Sequence, residues 1–383
     1  MIPAQPETGG IDPPLKVLWL IKGLGAGGAE RLVVQSARYR DPELVNPGVA
    51  YLLAQKSTLV ATLEEEGCRP VTCLDARSSY DPRWIVRLRR LLEAGKFDVL
   101  HIHSPLAAIG ARLAVRSLPA RRRPRIVVTE HNVWSSHAPL TRLADRAGAG
   151  RTETHLAVSA AVLDSLPTRI RARSRIVRYG VDGAEMRREA GNRADARARL
   201  GVADDEILIG TVANLRATKG YPDLLVAAKT VTQTVAAARF VAVGRGPLEH
   251  ELREQHARLG LGDRFQFLGY RPDAPAVMAA FDVFCLPSHY EGLPIAMMEA
   301  LALGLPVVAT RVGGVDELVT DGEDAVLVPP HRPALLADAL IALAQDPERR
   351  ARMADLARAR SETIDAPSSV RAVEAVYREI VGR

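Results

Sequence analysis

Short apolar runs alternate with helix-patterned segments along most of this chain, and the whole alternation occurs twice. Apolar runs of strand length that are separated by helical segments form parallel sheets with crossover helices. The pattern therefore predicts an α/β fold with two Rossmann-like domains in tandem. The predicted strands are 15–21, 48–53, 97–103, 125–131 and 154–159 in the first series, and 206–215, 239–244, 264–269, 281–287 and 306–310 in the second.

Residues 182–201 lie between the two series and are charged and poor in large apolar side chains, as interdomain connections are. Open α/β sheets bind ligands at the carboxyl ends of their strands, so the predicted site is a cleft that the two domains face. The predicted divisions are a disordered tail at 1–14, a Rossmann-like domain at 15–185, a linker at 186–204, a second Rossmann-like domain at 205–365 and a C-terminal helix at 366–383.

Composition narrows the class of protein. The chain has 383 residues, of which 47% are hydrophobic and 25% charged, as in soluble globular proteins. Its three cysteines, Cys68, Cys73 and Cys285, form no C-x-x-C pair, which argues against a disulfide framework or a thiolate zinc site. The polar, proline-rich start is expected to be neither signal peptide nor anchor, and no long window is free of charges and helix breakers. We therefore expect a cytoplasmic protein.

The positive charge is concentrated in the first half of the chain. Residues 1–182 carry 27 Lys and Arg against 17 Asp and Glu, a net charge of +10, whereas the remainder carries 24 against 28, a net charge of −4. This asymmetry fits an anionic partner, and it equally fits an arginine-rich solvated surface. The basic run at 121–125 lacks interleaved aromatic residues, which disfavours nucleic acid. His101 and His103 lack nearby acidic or cysteine partners, which disfavours a metal site.

A glycine-rich loop follows the first predicted strand. Gly23, Gly25 and Gly28 fit G-x-G-x-x-G between a strand and a helix, which is the context of a dinucleotide-binding loop. That function also needs an acidic residue at the end of the second strand, and residues 52–55 contain none. A nicotinamide or flavin site is therefore disfavoured. Two interpretations stay open: backbone amides that bind a phosphate, or a tight turn alone.

The segment SHYEGLPIAMMEALALGLPVVATRVGG, residues 288–314, sets two glutamates in apolar surroundings. We predict a strand-to-helix loop that contains Glu291, a helix with Pro294 at its first position and Gly304 beyond its end, and Glu299 more than a turn into that helix. Carboxylates in so apolar a segment need a ligand or partner that takes their hydrogen bonds. Amides at the start of the helix would bind a diphosphate, and a carboxylate on each side would bind vicinal hydroxyls. A ligand with sugar, diphosphate and ribose in a row is a nucleotide sugar.

This segment resembles the donor site of the retaining glycosyltransferases of family GT4, which have the GT-B fold and an E-x7-E motif. The resemblance extends from about residue 15 to residue 365, and it implies a hexosyltransferase whose first domain binds the acceptor and whose second domain binds the donor. The matching residues are Glu291-Gly-Leu-Pro through Glu299-Ala, Gly304-x-Pro-Val-Val-Ala-Thr, Gly313-Gly314, Gly27-Gly-Ala-Glu-Arg31 and Gly180-Val-Asp182.

The resemblance implies a role for each matching residue. Catalytic roles fall to Glu291 at the donor sugar's hydroxyls, to His131 facing that sugar, and to Lys219 and Arg216 at the diphosphate. Donor-binding roles fall to Glu299 at the ribose, to Gly27 and Gly28 at the phosphate, to Gly292, Leu293 and Pro294 along the sugar and diphosphate, and to Leu268 and Tyr270 at the base, with Asp273 as a reader of guanine.

One residue departs from the family pattern. Many members have an arginine five residues before the lysine, where this chain has Asn214, and Arg216 stands three residues before it. The family mechanism is front-face attack with retention, in which the donor phosphate takes the acceptor proton and Glu291 positions the sugar. No Asp-x-Asp triplet occurs, so we expect no metal ion and no other cofactor.

The resemblance also implies partners. They are a nucleotide-sugar donor and a lipid-linked or saccharide acceptor, used in glycolipid or cell-surface polysaccharide synthesis. The basic first half adds the expectation of peripheral docking on the anionic inner face of the plasma membrane. The alternative function is a catalytically weak nucleotide-sugar-binding partner of another glycosyltransferase. The shifted arginine favours that alternative, and intact Glu291, Glu299, Lys219 and His131 oppose it.

Overall fold

The structure is a computed structural model that describes residues 13–25, 27–78, 81–150 and 153–383. The disordered tail predicted at 1–14 lies outside these residues except for its last two. The predicted α/β class is confirmed, since parallel strands alternate with helices through the described chain.

The strands are β1 Leu15–Ile21, β2 Val45–Tyr51, β3 Val71–Cys73, β4 Val99–Ile102, β5 Arg125–Glu130, β6 Thr154–Ala157, β7 Ser174–Ile176, β8 Ile207–Val212, β9 Ala238–Val243, β10 Phe265–Gly269, β11 Val283–Leu286, β12 Val307–Thr310 and β13 Ala325–Val328.

The α-helices are α1 Gly28–Tyr39, α2 Val60–Glu65, α3 Arg83–Gly95, α4 Pro105–Arg116, α5 Pro139–Gly148, α6 Ala160–Ser165, α7 Thr168–Arg171, α8 Gly183–Ala190, α9 Arg193–Leu200, α10 Tyr221–Thr234, α11 Glu249–Leu259, α12 Ala274–Met278, α13 Ile295–Ala302, α14 Val315–Leu318, α15 Pro333–Gln345, α16 Pro347–Ser361 and α17 Ala366–Val381. Short 3₁₀ turns occur at Ala120–Arg122, Trp134–Ser136, Ala217–Lys219 and Gly262–Arg264.

Two parallel sheets form, one for each series of apolar runs. The first has the order β3-β2-β1-β4-β5-β6-β7 and the second the order β10-β9-β8-β11-β12-β13. In the second sheet the chain first adds strands on one side of β8 and then crosses to β11 on its other side. Such a switch point leaves a crevice at the carboxyl ends of the two central strands. A ligand site is therefore expected in the segments that follow β8 and β11.

The charged connection at 182–201 is mostly helical. Asp182 caps α8, with its side chain accepting a hydrogen bond from the Glu185 amide (2.8 Å). Asn192 caps α9 in the same way, and Gly201 ends that helix in the left-handed conformation at φ 63°. Acceptor side chains before a helix and a glycine after it are the expected end signals, so this stretch is ordered despite its few apolar side chains.

The described chain divides into two compact units. Unit 1 holds the described residues of Met1–Thr129, Ala147–Thr154 and Val370–Arg383, and unit 2 holds Glu130–Arg146 and His155–Ser369. In unit 2, apolar side chains pack on both faces of the second sheet, and one of these two clusters includes Met297, Met298 and Leu301 of α13. None of the described helices has the length and apolar character required to cross a bilayer.

Candidate functional site

The loops that follow β8 and β11 lie side by side in unit 2. The His289 amide donates a hydrogen bond to the Thr218 carbonyl oxygen (2.8 Å). Gly220 has φ 62°, and a Cβ at this position would lie 1.8 Å from the Pro287 carbonyl oxygen. Only glycine fits here, because a side chain would collide with backbone. This close approach places Lys219 against the loop that carries Glu291.

Lys219 and Glu291 form an ion pair. Lys219 Nζ donates to Glu291 Oε1 at 2.6 Å, and Ser288 Oγ donates to the same oxygen, also at 2.6 Å. The Glu291 side chain is 7% exposed and that of Lys219 is 25% exposed. A nearly buried carboxylate is thus held in one orientation by two donors, while part of the Lys219 side chain stays exposed to solvent.

Backbone of several segments surrounds the residue after Glu291. A Cβ on Gly292 would lie 1.8 Å from the His131 carbonyl oxygen, and a Cβ on Gly313, at φ 55°, would lie 1.7 Å from the Glu291 carbonyl oxygen. The Gly292 carbonyl oxygen accepts hydrogen bonds from Ser159 Oγ (3.0 Å) and from the Gly314 amide (3.1 Å). Gly292 and Gly313 therefore let backbone approach backbone, and they fix the loop that carries Glu291.

Helix α13 begins one residue later than predicted. Pro294 is the N-cap residue rather than the first helical residue, and Gly304 follows the helix at φ 70°, as expected for a terminator. Leu293 and Ile295 pack against the core on either side of Pro294. Glu299 is the fifth residue of the helix and is 5% exposed. It lies more than a turn in, as predicted.

His131 belongs to the same unit as Glu291. Its ring stacks on buried Tyr179, with centroids 6.0 Å apart and planes 30° apart. His131 is partly exposed, but protein atoms surround most of its ring. This desolvation lowers the pKa of His131 to about 4, and the nearby Glu130 carboxylate opposes the shift with a smaller effect. The imidazole is therefore neutral at pH 7.

The remaining predicted site residues are spread over both units. Arg216 is exposed and precedes the 3₁₀ turn that ends at Lys219. Leu268 lies in β10, and Tyr270, 40% exposed, follows that strand. Both Asp273 carboxylate oxygens accept hydrogen bonds from Arg271 (2.7 and 2.6 Å), and this contact lowers the pKa of Asp273.

Gly27 and Gly28 lie in unit 1, at the start of α1. Gly27 is the N-cap residue of this helix, and its carbonyl oxygen accepts the Arg31 amide (3.0 Å). A Cβ on Gly27 would lie 2.3 Å from Glu30 Oε2. The loop therefore stands at a helix N-terminus, as the phosphate-binding interpretation requires, and the tight-turn interpretation fits the same geometry.

Sequence reasoning missed several polar residues of this region. Ser288 and Ser159 carried no motif of their own, yet both bond to the Glu291–Gly292 dipeptide. It also missed a group formed by Asp223, His289 and His331, whose ligand atoms lie within 4.8 Å of one another. These residues are far apart in sequence, and the only signal available was their position after strands that point the same way.

The arrangement in unit 2 has a definite chemical character. The ammonium of the partly exposed Lys219 side chain lies beside a buried carboxylate, and α13 begins four residues after Glu291. Ammonium groups and helix N-termini attract phosphate oxygens, and oriented carboxylates accept hydrogen bonds from hydroxyl groups. These groups together suit a ligand that carries both phosphate and hydroxyl groups.

Comparison with known proteins shows two family matches. The chain matches the family described as Glycosyltransferase Family 4 over residues 26–185 and the family described as Glycosyl transferases group 1 over residues 192–360.

Two relatives illustrate the range of similarity. The D-inositol 3-phosphate glycosyltransferase of Acidothermus cellulolyticus is 31% identical over 317 residues, which cover 77% of this chain and 70% of the relative. The alpha-D-kanosaminyltransferase of Streptomyces kanamyceticus is 35% identical over 165 residues, which cover 43% of this chain. That second match spans 42% of the relative's length.

A solved structure shares the fold. HepE of Anabaena, solved in complex with UDP-glucose, superposes with a TM-score of 0.80 at 24% sequence identity. The superposition covers 94% of this chain and 98% of HepE.

Proposed function

Because this chain belongs to glycosyltransferase family 4 and has the GT-B fold of that family, we propose that it is a retaining enzyme that transfers a hexose-type sugar from a nucleoside-diphosphate sugar to an acceptor hydroxyl. The observation that carries this proposal is the contact of Lys219 with Glu291, in a loop fixed by Gly220, Gly292 and Gly313. The UDP-glucose in the HepE structure supports a UDP-hexose as the first donor to test.

Lys219 and Arg216 act on the leaving group. Cleavage of the anomeric bond develops negative charge on the diphosphate, and fixed cations stabilise that charge more in the transition state than in the ground state. Lys219 has a position fixed by its bond to Glu291, whereas exposed Arg216 is three residues away along the same loop. We assign the larger share of the stabilisation to Lys219.

Glu291 positions the donor sugar rather than attacking it. Its Oε1 already accepts hydrogen bonds from an ammonium and a hydroxyl, and both bonds withdraw electron density from the carboxylate. Such a group is a weak nucleophile, and its carboxylate can still accept hydrogen bonds from sugar hydroxyls. This assignment fits front-face attack, in which the donor phosphate takes the acceptor proton and His131 stays neutral beside the sugar.

Other residues of unit 2 bind the remaining parts of the donor. We assign the ribose to Glu299, the sugar and diphosphate to Gly292, Leu293 and Pro294, and the base to backbone near Leu268 and Tyr270. The two cationic side chains supply the charge that a metal ion would otherwise supply to the diphosphate. We therefore propose that transfer needs no divalent ion.

The acceptor side of the proposal is a lipid-linked or saccharide acceptor used in glycolipid or cell-surface polysaccharide synthesis. Leu140 and Leu143 of α5 are 75% and 66% exposed and lie three residues apart, on one face of the helix. Arg146 on the same helix is exposed, and residues 1–182 carry a net charge of +10. Apolar and basic side chains on one helix suit peripheral docking on an anionic bilayer.

A donor screen tests the chemistry. The purified chain is incubated with UDP-, GDP- and ADP-hexoses, and release of the nucleoside diphosphate is measured, with and without simple glycoside or lipid acceptors. We expect one donor to be cleaved well above the others, by wild type and not by Lys219→Met, with the product keeping the donor's anomeric configuration in NMR spectra. Tight nucleotide-sugar binding without turnover on any acceptor would favour the alternative of a binding partner.

Sedimentation with liposomes tests the membrane interaction. The full chain should sediment with anionic vesicles at low salt and be released at high salt, since each Lys or Arg near the surface contributes about 1 kcal/mol. A Leu140→Ser/Leu143→Ser variant should bind less. Leu335→Ser is the matched control. It also replaces an exposed leucine, since Leu335 is 45% exposed, but it lies on α15 and outside the proposed docking helix. Equal binding of all three proteins, or none to anionic vesicles, would refute the docking proposal and favour a soluble acceptor.

A further inference from the structure

Three metal-ligating side chains converge beside the loop that carries Glu291. Asp223 is the third residue of α10, His289 lies in the loop after β11, and His331 lies between β13 and α15. Their ligand atoms all lie within 4.8 Å of one another, and within the described residues this is the only group of three or more His, Cys, Asp or Glu side chains so placed.

The contacts within this group are close. His289 Nε2 and Asp223 Oδ2 are 2.8 Å apart, and the rings of His289 and His331 lie with their centroids 3.7 Å apart. The side chains of His289 and Asp223 are 17% and 23% exposed, whereas His331 is exposed. The group is thus anchored on its inner side and open to solvent on its outer side.

The ligand set points to a particular class of ion. Two imidazoles and one carboxylate are a common protein ligand set for zinc and other divalent transition metals, with a fourth position left to water. Metal–ligand bonds of about 2.0–2.1 Å in a tetrahedron place ligand atoms roughly 3.3 Å apart. Side-chain rotations that bring His331 inward and open the His289–Asp223 contact slightly would reach this spacing, because His331 is on the exposed side.

The backbone at His331 is unusual. Its φ is 59°, in the left-handed region that residues with side chains rarely adopt, and two prolines precede it. Conformations of this kind persist where the surrounding structure imposes them, and they are frequent at ligand sites. In this left-handed conformation, the ring of His331 lies against the ring of His289, with the two planes 39° apart.

We propose that Asp223, His289 and His331 bind one divalent transition-metal ion of the zinc class. The ion would connect the start of α10 and the segment before α15 to the loop in which His289 precedes Glu291 by two residues. Its role would be to stabilise that loop, so the site is compatible with transfer that needs no metal ion at the diphosphate. The proposal does not depend on the donor or on activity.

Cobalt and zinc titrations of the full chain without an affinity tag test this site. Co²⁺ should give a visible absorption band that saturates at one ion per chain, and Zn²⁺ should displace it. His331→Ala and Asp223→Asn should each weaken Zn²⁺ binding by at least about 100-fold, since even residues that only support a metal ligand contribute 10- to 100-fold. Zn²⁺ should raise the Tm of wild type and not of these variants.

His250→Ala is the matched control. His250 Nδ1 lies 3.8 Å from Glu254 Oε1 on the exposed side of α11, and among the described residues this histidine–carboxylate pair belongs to no group of three metal-ligating side chains. This variant should bind Co²⁺ as wild type does. Absence of saturable binding by wild type at micromolar metal would overturn the proposal. So would equal binding by His331→Ala, provided that its Tm without metal matches wild type.

Discussion

Replacing Lys219 with methionine removes an ammonium and keeps most of the aliphatic stem, so it tests the charge apart from the packing. Breaking a fully buried ion pair costs about 3–5 kcal/mol of unfolding free energy, and breaking an exposed pair costs at most about 1 kcal/mol. The Lys219–Glu291 pair lies between these limits, because its side chains are 25% and 7% exposed and Ser288 continues to donate to the carboxylate. We therefore expect Lys219→Met to lower the free energy of unfolding by about 1–3 kcal/mol.

The same substitution should weaken nucleotide binding. A hydrogen bond to a charged group contributes about 1.5–3 kcal/mol, which corresponds to roughly a 10- to 150-fold rise in the Kd for UDP. Glu291→Gln keeps the shape and removes the charge that Lys219 pairs with, so it should leave UDP affinity unchanged or slightly improved. In the double variant, the stability losses should be less than additive, because each single change already breaks the pair.

Urea unfolding and calorimetric titration with UDP measure the two effects. Lys229→Met on α10 is the control, and its free energy of unfolding should stay within about 0.5 kcal/mol of wild type. Strictly additive losses in the double variant would show that the 2.6 Å contact contributes no coupling energy. A Lys219→Met protein that binds UDP as wild type does would remove Lys219 from the diphosphate.

Three further predictions concern the same unit. Gly292→Ala sets a Cβ 1.8 Å from the His131 carbonyl oxygen, so the loop must shift by about 1 Å and turnover should fall about 100-fold. Gly201→Ala is strained by its φ of 63° but its Cβ meets no other atom, so this variant can lose stability and should keep its turnover. The pKa of His131 is lowered from 6.5 to about 4, so the unfolded chain binds this proton at a higher pH than the folded chain does. The contribution of neutral His131 to the free energy of unfolding is therefore complete above pH 6.5 and is lost as the pH falls from 6.5 to 4. Melting curves of His131→Asn should lack this part of the pH dependence, and an unchanged slope would count against the shift. Turnover in excess chelator should stay within a few-fold of turnover with Mg²⁺, and complete loss restored by Mg²⁺ or Mn²⁺ would show a required metal.

The sequence was most informative where apolar residues cover both faces of a strand. The bounds of β1, Leu15–Ile21, match the prediction to the residue, since six of its seven side chains are buried. Strands β3, β7 and β13 were not predicted. Strands β3 and β7 have three residues each, none of them fully buried, so neither forms an apolar run that stands out from the loops around it. Strand β13 has four residues, three of them buried, and the prediction missed its short apolar run.

The candidate site was predictable in its residues and not in its contacts. The resemblance singled out Lys219 and Glu291, but they are 72 residues apart, and only the packed loops after β8 and β11 show that they bond to each other. His101 and His103 attracted attention through their spacing, and the structure shows His101 bonded to Tyr377 and Thr129 inside unit 1.

The group of Asp223, His289 and His331 had no spacing signal, because the three residues come from separate segments, after β8, after β11 and after β13. Spacing patterns in a sequence show which side chains are neighbours within one helix or one strand. Side chains from separate elements meet only after the sheet order is fixed, and that order depends on packing over the whole unit.

The central proposal is that Glu291 holds the sugar and Glu299 the ribose of one nucleotide sugar. Calorimetric titration of UDP into wild type, Glu299→Ala and Glu291→Ala, together with the turnover of each, tests it most directly. We expect Glu299→Ala to weaken UDP binding because it loses the ribose contact. We expect Glu291→Ala to keep nearly wild-type UDP affinity while transfer falls sharply. Equal loss of UDP affinity in both variants, or full transfer by Glu291→Ala, would contradict it.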